Sequence, residues 1–351
     1  MTIHLGSLGA KSVLPSALSM WSGHNAAKNS VVPNPSQMAN LLGSLLLLLL
    51  TFIYTPCLAH SPNLREIYRF PNGTWIENIA VRPNGNLLVA DLSTAELWEI
   101  NPSIPGSAHL IHHLDDAEDA DGITELSPDI YAVIASNSVY TIDLRSYENT
   151  PKSVLIAKLP AGYLNGLAAL DEGKAVAITD SQLGLIWRLD IRTGEYSVIH
   201  HDETMAANRD MGLLLGVNGL KIVDDHLYYT NSPKRIFCRV RIDTHTGGSL
   251  GPYEIISHDT RGDDFAIGPH GVGYLAGLID NVVTRVFPNG SHEVIAGSKD
   301  SRDLMTATSA AFGRTQKDRN VLYVTTGGET TLPVNGTSTR GGKVMALSVE
   351  F

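Results

Sequence analysis

The sequence has few cysteines, no excess of basic residues and no hydrophobic run as long as a membrane span. Cys57 and Cys238 are its two cysteines in 351 residues. Cys57 lies in a predicted leader, so the mature chain can form no internal disulfide. Cys238 lies in the alternating apolar strand IFCRVRI and is interpreted as a core residue. The formal net charge is −10, which argues against a nucleic-acid partner because phosphate binding needs a basic face.

Several catalytic signatures are also missing from the sequence. It contains no Gly-rich phosphate loop, no GxSxG motif at a strand-to-helix turn (GGSLG at 247–251 is not followed by a helical pattern) and no HExxH pair. The first would cradle a nucleotide, the second would expose a nucleophilic serine, and the third would hold zinc. None of these three chemistries is therefore expected.

The longest apolar run, 41–54, is shorter than the roughly 20 residues that a membrane span requires. It has the length of the apolar region of a signal peptide, and Cys57 and Ala59 stand at the small positions before a cleavage site. We predict a signal peptide at residues 38–59, entry into the secretory pathway and no stable membrane span; an uncleaved signal anchor is the alternative. Residues 1–37 are polar and are interpreted as disordered or as a misassigned start.

Three glycosylation sequons agree with this route. They begin at Asn72, Asn289 and Asn335, each followed by glycine and then threonine or serine. All three lie in turn-like stretches, where a glycan can be accommodated.

The dominant feature of the sequence is an internal repeat. A polar anchor residue, a short apolar strand, a turn and a strongly β-forming strand recur six times, with consecutive anchors 43 to 53 residues apart. The anchors are Asn78, Asp121, Asn165, Asn218, Asp264 and Ser309. A period near 45 residues without helical pattern indicates four-stranded blades arranged radially. We predict an all-β, six-bladed propeller over residues 60–351.

The last blade lacks an outer strand of its own, because the chain ends after KVMALSVEF. The segment LREIYRF, residues 64–70, precedes blade one and is otherwise unassigned. We expect it to close the ring as the outer strand of the last blade, which removes an exposed sheet edge.

The repeat also predicts a polar site on the propeller axis. The innermost strand of each blade begins on one face, so the anchors and the adjacent Glu77 converge there. Side chains of Asn and Asp at such positions can instead merely cap turns. The convergent set favours a site, with Glu77, Asn165, Asn218 and Asp264 as its candidate catalytic residues.

With the blades in register, residues 64–351 resemble the regucalcin/gluconolactonase superfamily, most clearly in NGL followed by LYYTNS. This resemblance implies that Ca²⁺ or another divalent metal is held by Glu77, Asn218 and Asp264, and that Asp264 also serves in a hydrolytic step. The family opening Glu-Gly-Pro is replaced here by Glu77-Asn78-Ile79, and the insertion MGLLLG precedes Asn218. The mouth is therefore predicted to be apolar, with Trp75, Tyr163, Met211, Leu213 and Leu214 as candidate substrate-binding residues.

The opening ENIAVRPNGNLLV is similar to that of secreted fungal hetero-Diels–Alderases of tropolone–sesquiterpenoid pathways. This second resemblance implies that a quinone-methide tropolone is joined to a humulene-type terpene, without a cofactor. Three hypotheses stay open: such a pericyclase acting on polyketide and terpene substrates, a metal-dependent lactonase or esterase, and a binding propeller without chemistry. The first is preferred, since an apolar mouth suits a terpene better than a sugar lactone.

Overall fold

The computed structural model describes residues 64–145, 151–329 and 340–351. Within these ranges 24 strands form six four-stranded antiparallel sheets. Short 3₁₀ turns at Asp171–Gly173, Glu203–Met205 and Pro269–Gly271 are the helical elements there. The prediction of a six-bladed all-β propeller is confirmed. The predicted leader at 38–59, residues 1–37 and the sequon at Asn335 lie outside the described residues.

In chain order the strands are β1 Leu64–Arg69, β2 Ile76–Val81, β3 Leu87–Asp91, β4 Glu96–Ile100, β5 His109–His113, β6 Ile123–Ser127, β7 Ile130–Ala135, β8 Ser138–Asp143, β9 Lys152–Lys158, β10 Leu164–Leu170, β11 Ala175–Asp180, β12 Leu185–Asp190, β13 Tyr196–His201, β14 Val217–Val223, β15 His226–Asn231, β16 Ile236–Arg241, β17 Glu254–Ser257, β18 Phe265–Ile267, β19 Gly273–Ala276, β20 Val282–Val286, β21 His292–Gly297, β22 Ala307–Phe312, β23 Val321–Thr326 and β24 Lys343–Ser348. Blade one consists of β2–β5, blade two of β6–β9, blade three of β10–β13, blade four of β14–β17, blade five of β18–β21, and blade six of β22–β24 with β1.

The core lies between neighbouring blades. Second strands such as β3 and β11 are buried along their whole length, because another blade covers each of their faces. Cys238 belongs to the apolar cluster between blades three and four, and burial raises the pKa of its thiol to about 12. The interpretation of Cys238 as a core residue is confirmed.

The ring is closed by the N-terminal strand. β1 pairs antiparallel with β24, with Leu64 opposite Leu347 and Arg69 opposite Lys343. The outer strand of blade six therefore comes from the start of the propeller, as the missing strand in the sequence predicted. This pairing joins the two ends of the described fold and gives blade six four strands, the same number as every other blade.

Threonine hydroxyls on the second strands link neighbouring blades. The Thr230 hydroxyl accepts from the Gly219 amide at 3.0 Å and donates to the Asp263 carbonyl of the next blade at 2.6 Å. Thr179 repeats this pattern one blade earlier, accepting from Gly166 and donating to the Asn218 carbonyl, also at 2.6 Å. These relays fix the starts of the inner strands, and thus the anchors, against one another.

Replacing Thr230 by valine should lower the free energy of unfolding by about 2–3 kcal/mol, because a buried amide and a buried carbonyl each lose a partner while the shape is kept. Urea denaturation followed by circular dichroism measures the change. Thr230→Ser retains the hydroxyl and should lose much less. Equal losses for valine and serine would show that packing of the methyl group, and not the relay, stabilises this interface.

Two predicted sequons can be located in the structure. Asn72 and Asn289 are exposed turn residues, which agrees with their predicted use as glycan acceptors. In the three described ranges no helix is both long and apolar enough to cross a bilayer.

Candidate active site

The strand pairing defines two layers of side chains at the start of the inner strands. The Gly219 amide donates to the Asp263 carbonyl, and the Asp264 amide donates to the Thr308 carbonyl, so Asn218, Asp263 and Thr308 occupy equivalent positions. The first layer consists of Glu77, Asp121, Asn165, Asn218, Asp263 and Thr308. The second layer, one residue further along, contains Asn78, Asp264 and Ser309 together with three glycines. The anchors taken from sequence for blades one, five and six are therefore one residue out of register.

The first layer joins the Asn218 amide to one acid and leaves two oxygens without partners. The Asn218 side-chain amide donates to Asp263 Oδ1 at 2.6 Å and to the Ser232 hydroxyl at 2.9 Å. Asp121 Oδ2 accepts from the Tyr163 hydroxyl at 2.9 Å. Asn218 Oδ1 and Asp121 Oδ1 are buried and have no hydrogen-bond partner. Buried polar atoms normally have one, so these two oxygens mark a place where a ligand or ion can bind.

Burial controls the protonation of the first-layer acids. The pKa of Glu77 is raised to about 7: loss of solvation is the main cause, the hydrogen bond from the Trp75 indole opposes it, and the nearby charge of Asp264 adds to it. Burial, followed by repulsion from Glu77, also raises the pKa of Asp121 and of Asp263 well above the usual range. The layer therefore holds protons near neutral pH and can act as a general acid.

The second layer contains an ion pair that sequence analysis missed. The Lys221 ammonium lies 2.5 and 2.7 Å from the two oxygens of Asp264. Asp264 also accepts from the Ser309 hydroxyl at 2.8 Å and from the Asn78 amide at 3.2 Å. Lys221 is the one charged residue of strand β14 and was the available signal, but its partner is on the next blade.

The residues predicted to bind substrate fall into an aromatic pair and an aliphatic group. Trp75 and Tyr163 are partly buried, and their polar tips contact Glu77 and Asp121. Met211, Leu213 and Leu214 lie on the connection from β13 to β14, where a bridge between Asn208 and Leu215 closes a hairpin. Leu213 is 67% exposed and Leu214 is 36% exposed. These aliphatic side chains give the connection an apolar tip.

The metal trio implied by the superfamily resemblance can be tested against these contacts. Asp264 is poorly suited to it, because Lys221 already places a cation on both of its oxygens. Asp263 takes the equivalent place beside Asn218, and the unpartnered Asn218 Oδ1 is the kind of oxygen that a hard cation prefers. Glu77, Asn218 and Asp263 thus fit a divalent ion. In the described residues no three His, Cys, Asp or Glu side chains are arranged to hold such an ion, so this set depends on the amide oxygen of Asn218.

Asn165, the remaining candidate catalytic residue, belongs to the first layer and is 5% exposed. Of the four candidates, the structure places Glu77, Asn165 and Asn218 in the first layer and Asp264 in the second. Asp263 and Lys221 were not among the sequence candidates. Their position follows from strand register, which no local sequence pattern reveals.

No family model matches the chain. Solved structures similar to it include propellers of the regucalcin and gluconolactonase type, and at this identity they show the fold alone. The calcium-binding protein regucalcin from Agrobacterium tumefaciens has a TM-score of 0.63 at 17% identity, covering 83% of this chain and 95% of that one. A gluconolactonase from Xanthomonas campestris has a TM-score of 0.58 at 15% identity, covering 84% and 93%.

Sequence similarity to two fungal proteins is closer. The protein named "Putative hetero-Diels-Alderase asR5" of Sarocladium schorii is 32% identical over 314 residues, which cover 74% of this chain and 77% of that protein. A "Putative hetero-Diels-Alderase" of a Phoma species is 32% identical over 309 residues, covering 75% and 86%. Both resemblances inferred from the sequence are thereby confirmed, and the chain belongs to the fungal hetero-Diels-Alderase family, built on a regucalcin-like six-bladed propeller.

Proposed function

We propose that the protein catalyses an intermolecular hetero-Diels–Alder cycloaddition between a quinone-methide tropolone and a humulene-type terpene. The observation that carries this proposal is the layer of protonatable, buried acids near a rim with exposed leucines. Such a site suits one polar and one apolar partner. Family membership supports the reaction class, and the contacts described above support the division of the site into polar and apolar parts.

The polar layer would generate the reactive diene. Protonated Glu77 donates its proton to the hydroxyl group of a hydroxymethyl tropolone, the C–O bond breaks, and water leaves. A neighbouring carboxylate takes the proton of the ring hydroxyl, so that the neutral quinone methide forms with no net gain or loss of protons. A Glu77 pKa of about 7 lets both protonation states be populated near neutral pH.

The rim would then supply orientation. The quinone-methide oxygen and exocyclic carbon add across one terpene double bond, forming one C–O and one C–C bond of a dihydropyran ring. This step needs no nucleophile and no redox change. Holding both partners in reacting geometry can lower the barrier by roughly 7–11 kcal/mol in well-oriented cases.

The test uses the purified full chain with a hydroxymethyl tropolone and humulene, followed by chiral chromatography. We expect one enantiomer of the adduct with protein and a racemate without it. A racemate at the uncatalysed rate would refute the cycloaddition. Binding of both partners without turnover would instead support the non-catalytic binding propeller.

A metal-dependent lactonase or esterase is the second candidate, favoured by the unpartnered Asn218 Oδ1 beside Asp263. Glu77, Asn218 and Asp263 would hold the ion, which would polarise a carbonyl group and acidify a bound water. About one divalent ion per chain, together with calcium-dependent hydrolysis of an aldonolactone, would favour this candidate over the cycloaddition. Adduct formation that survives EDTA would reject it.

We further propose that the protein acts in the secretory pathway or outside the cell. The predicted signal peptide at 38–59 and the exposed sequons at Asn72 and Asn289 support this localisation. Secretion into the medium with a glycosidase-sensitive mass would agree with it, whereas a cytosolic, unglycosylated product would not.

A further inference from the structure

The first layer divides into a part whose polar side chains have hydrogen-bond partners and a part in which two oxygens have none. Thr308 donates to the Ile76 carbonyl at 2.7 Å, and Glu77 accepts from the Trp75 indole. The two buried, unpartnered oxygens belong instead to Asp121 and Asn218, on blades two and four. Asn165 of blade three lies between them. We name these three residues the open arc.

Both unpartnered atoms of the open arc are oxygens: Asn218 Oδ1 accepts a hydrogen bond whatever the pH, and Asp121 Oδ1 accepts one when the Asp121 carboxyl group has released its proton. Asp121 is 1% exposed and Asn218 is 2% exposed, so bulk water does not supply the missing donors. Leaving a buried acceptor without a donor costs roughly 1–3 kcal/mol. The three residues are neighbours in the first layer, because a side chain on Gly122 would meet the Asn165 carbonyl and one on Gly166 would meet the Asn218 carbonyl.

We propose that the open arc binds the hydroxylated head of the polar substrate, which donates one hydrogen bond to Asp121 Oδ1 and one to Asn218 Oδ1. This assignment rests on the proposed function for the identity of the reaction, but it concerns binding and needs no turnover. Tyr163 donates its hydroxyl to Asp121 Oδ2, so that oxygen already has a partner and Oδ1 is the one left for the ligand.

The same geometry orients the apolar part of the ligand. Asn218 comes shortly after a hairpin that is closed by the bridge between Asn208 and Leu215. The tip of this hairpin exposes Leu213. This hairpin joins blades three and four, the blades that carry two members of the open arc. A ligand with its hydroxyl groups in the arc therefore extends its apolar side towards Leu213.

A donor-counting series tests the arc. Catechol, guaiacol and veratrole share one ring and carry two, one and no O–H donors, and ligand-observed NMR with the full chain in EDTA gives their dissociation constants. We expect affinity to fall by about tenfold for each donor removed. Asp121→Asn keeps the shape and an acceptor for Tyr163 but replaces the free oxygen with a donor, so it should abolish the difference between catechol and guaiacol.

Asp119→Asn is the matched control. It makes the same aspartate-to-asparagine change two residues away, at a side chain that accepts a hydrogen bond from the Ser136 amide. It should preserve the affinity ranking of catechol, guaiacol and veratrole.

The apolar end of the ligand is tested separately. Leu213→Asp should weaken the binding of 4-tert-butylcatechol more than the binding of catechol. Equal affinities across the series, or the same change in both aspartate variants, would overturn the proposal. Catechol binding that appears only with calcium would overturn it too. A failed adduct assay with the ranking intact would reject only the proposed reaction.

Discussion

Glu77→Gln should reduce adduct formation by about 10²- to 10⁴-fold, the usual contribution of a positioned general acid. Glutamine has the shape of glutamate and can still accept from the Trp75 indole, so the substitution removes the transferable proton and leaves the contact. The wild-type rate should fall as pH rises through about 7, because the acid form of Glu77 is lost there. The pH profile of the variant should lack this limb.

The same substitution should stabilise the fold above neutral pH. The folded-state pKa of Glu77 is raised from 4.5 to about 7, so the unfolded chain binds fewer protons between these values. Stability contributed by the protonated group is therefore present at low pH and lost as pH rises through about 7. At pH 8 the ionised, buried carboxylate lowers the free energy of unfolding by about 3 kcal/mol. Glutamine is neutral and carries no such penalty.

Glu195→Gln provides the control, since Glu195 is exposed in the turn between β12 and β13. It should change neither the rate nor the pH profile. Rates measured by product chromatography and stabilities by urea denaturation at pH 5 and pH 8 complete the test. If the rate of the Glu77→Gln enzyme still falls as pH rises through about 7, as in the wild type, Glu77 is not the general acid.

The blade order was predictable from the sequence because each blade repeats the same local chemistry. A polar residue must precede each inner strand, where the chain starts on the axis, and a long apolar strand must follow between two covering blades. The closing strand was predictable for a related reason: blade six is one strand short, and residues 64–70 precede blade one and are otherwise unassigned. Both conclusions depend on pattern and counting and not on exact register.

The register itself was not predictable in blade five. Asp263 and Asp264 are adjacent acids, and either can be the anchor when only sequence is considered. The pairing of Phe265 with Leu275 decides between them and puts Asp263 in the first layer. Similarly, the sequence alone presents Lys221 as a charged residue on the face of a strand. Only the contact between blades four and five shows that its ammonium group pairs with Asp264.

Lys221→Met should be the most destabilising single substitution at the site. The Asp264 side chain is 3% exposed, and removing the ammonium leaves its carboxylate with only the neutral donors Ser309 and Asn78. Breaking a buried pair by removing one partner costs about 3–5 kcal/mol. Because Lys221 retains 26% exposure, we expect a loss of about 3 kcal/mol in urea denaturation.

The double variant Lys221→Met with Asp264→Asn separates loss of the charge from loss of the lysine stem. It removes both charges, so it should recover at least half of the lost stability. Lys174→Met is the external control, because the side chain of Lys174 is 63% exposed beside Asp171 and Glu172, and exposed pairs contribute little. If Lys221→Met is no more harmful than Lys174→Met, Asp264 does not depend on the ammonium. Asp264 would then be free to serve with the first-layer acids, as the sequence first suggested.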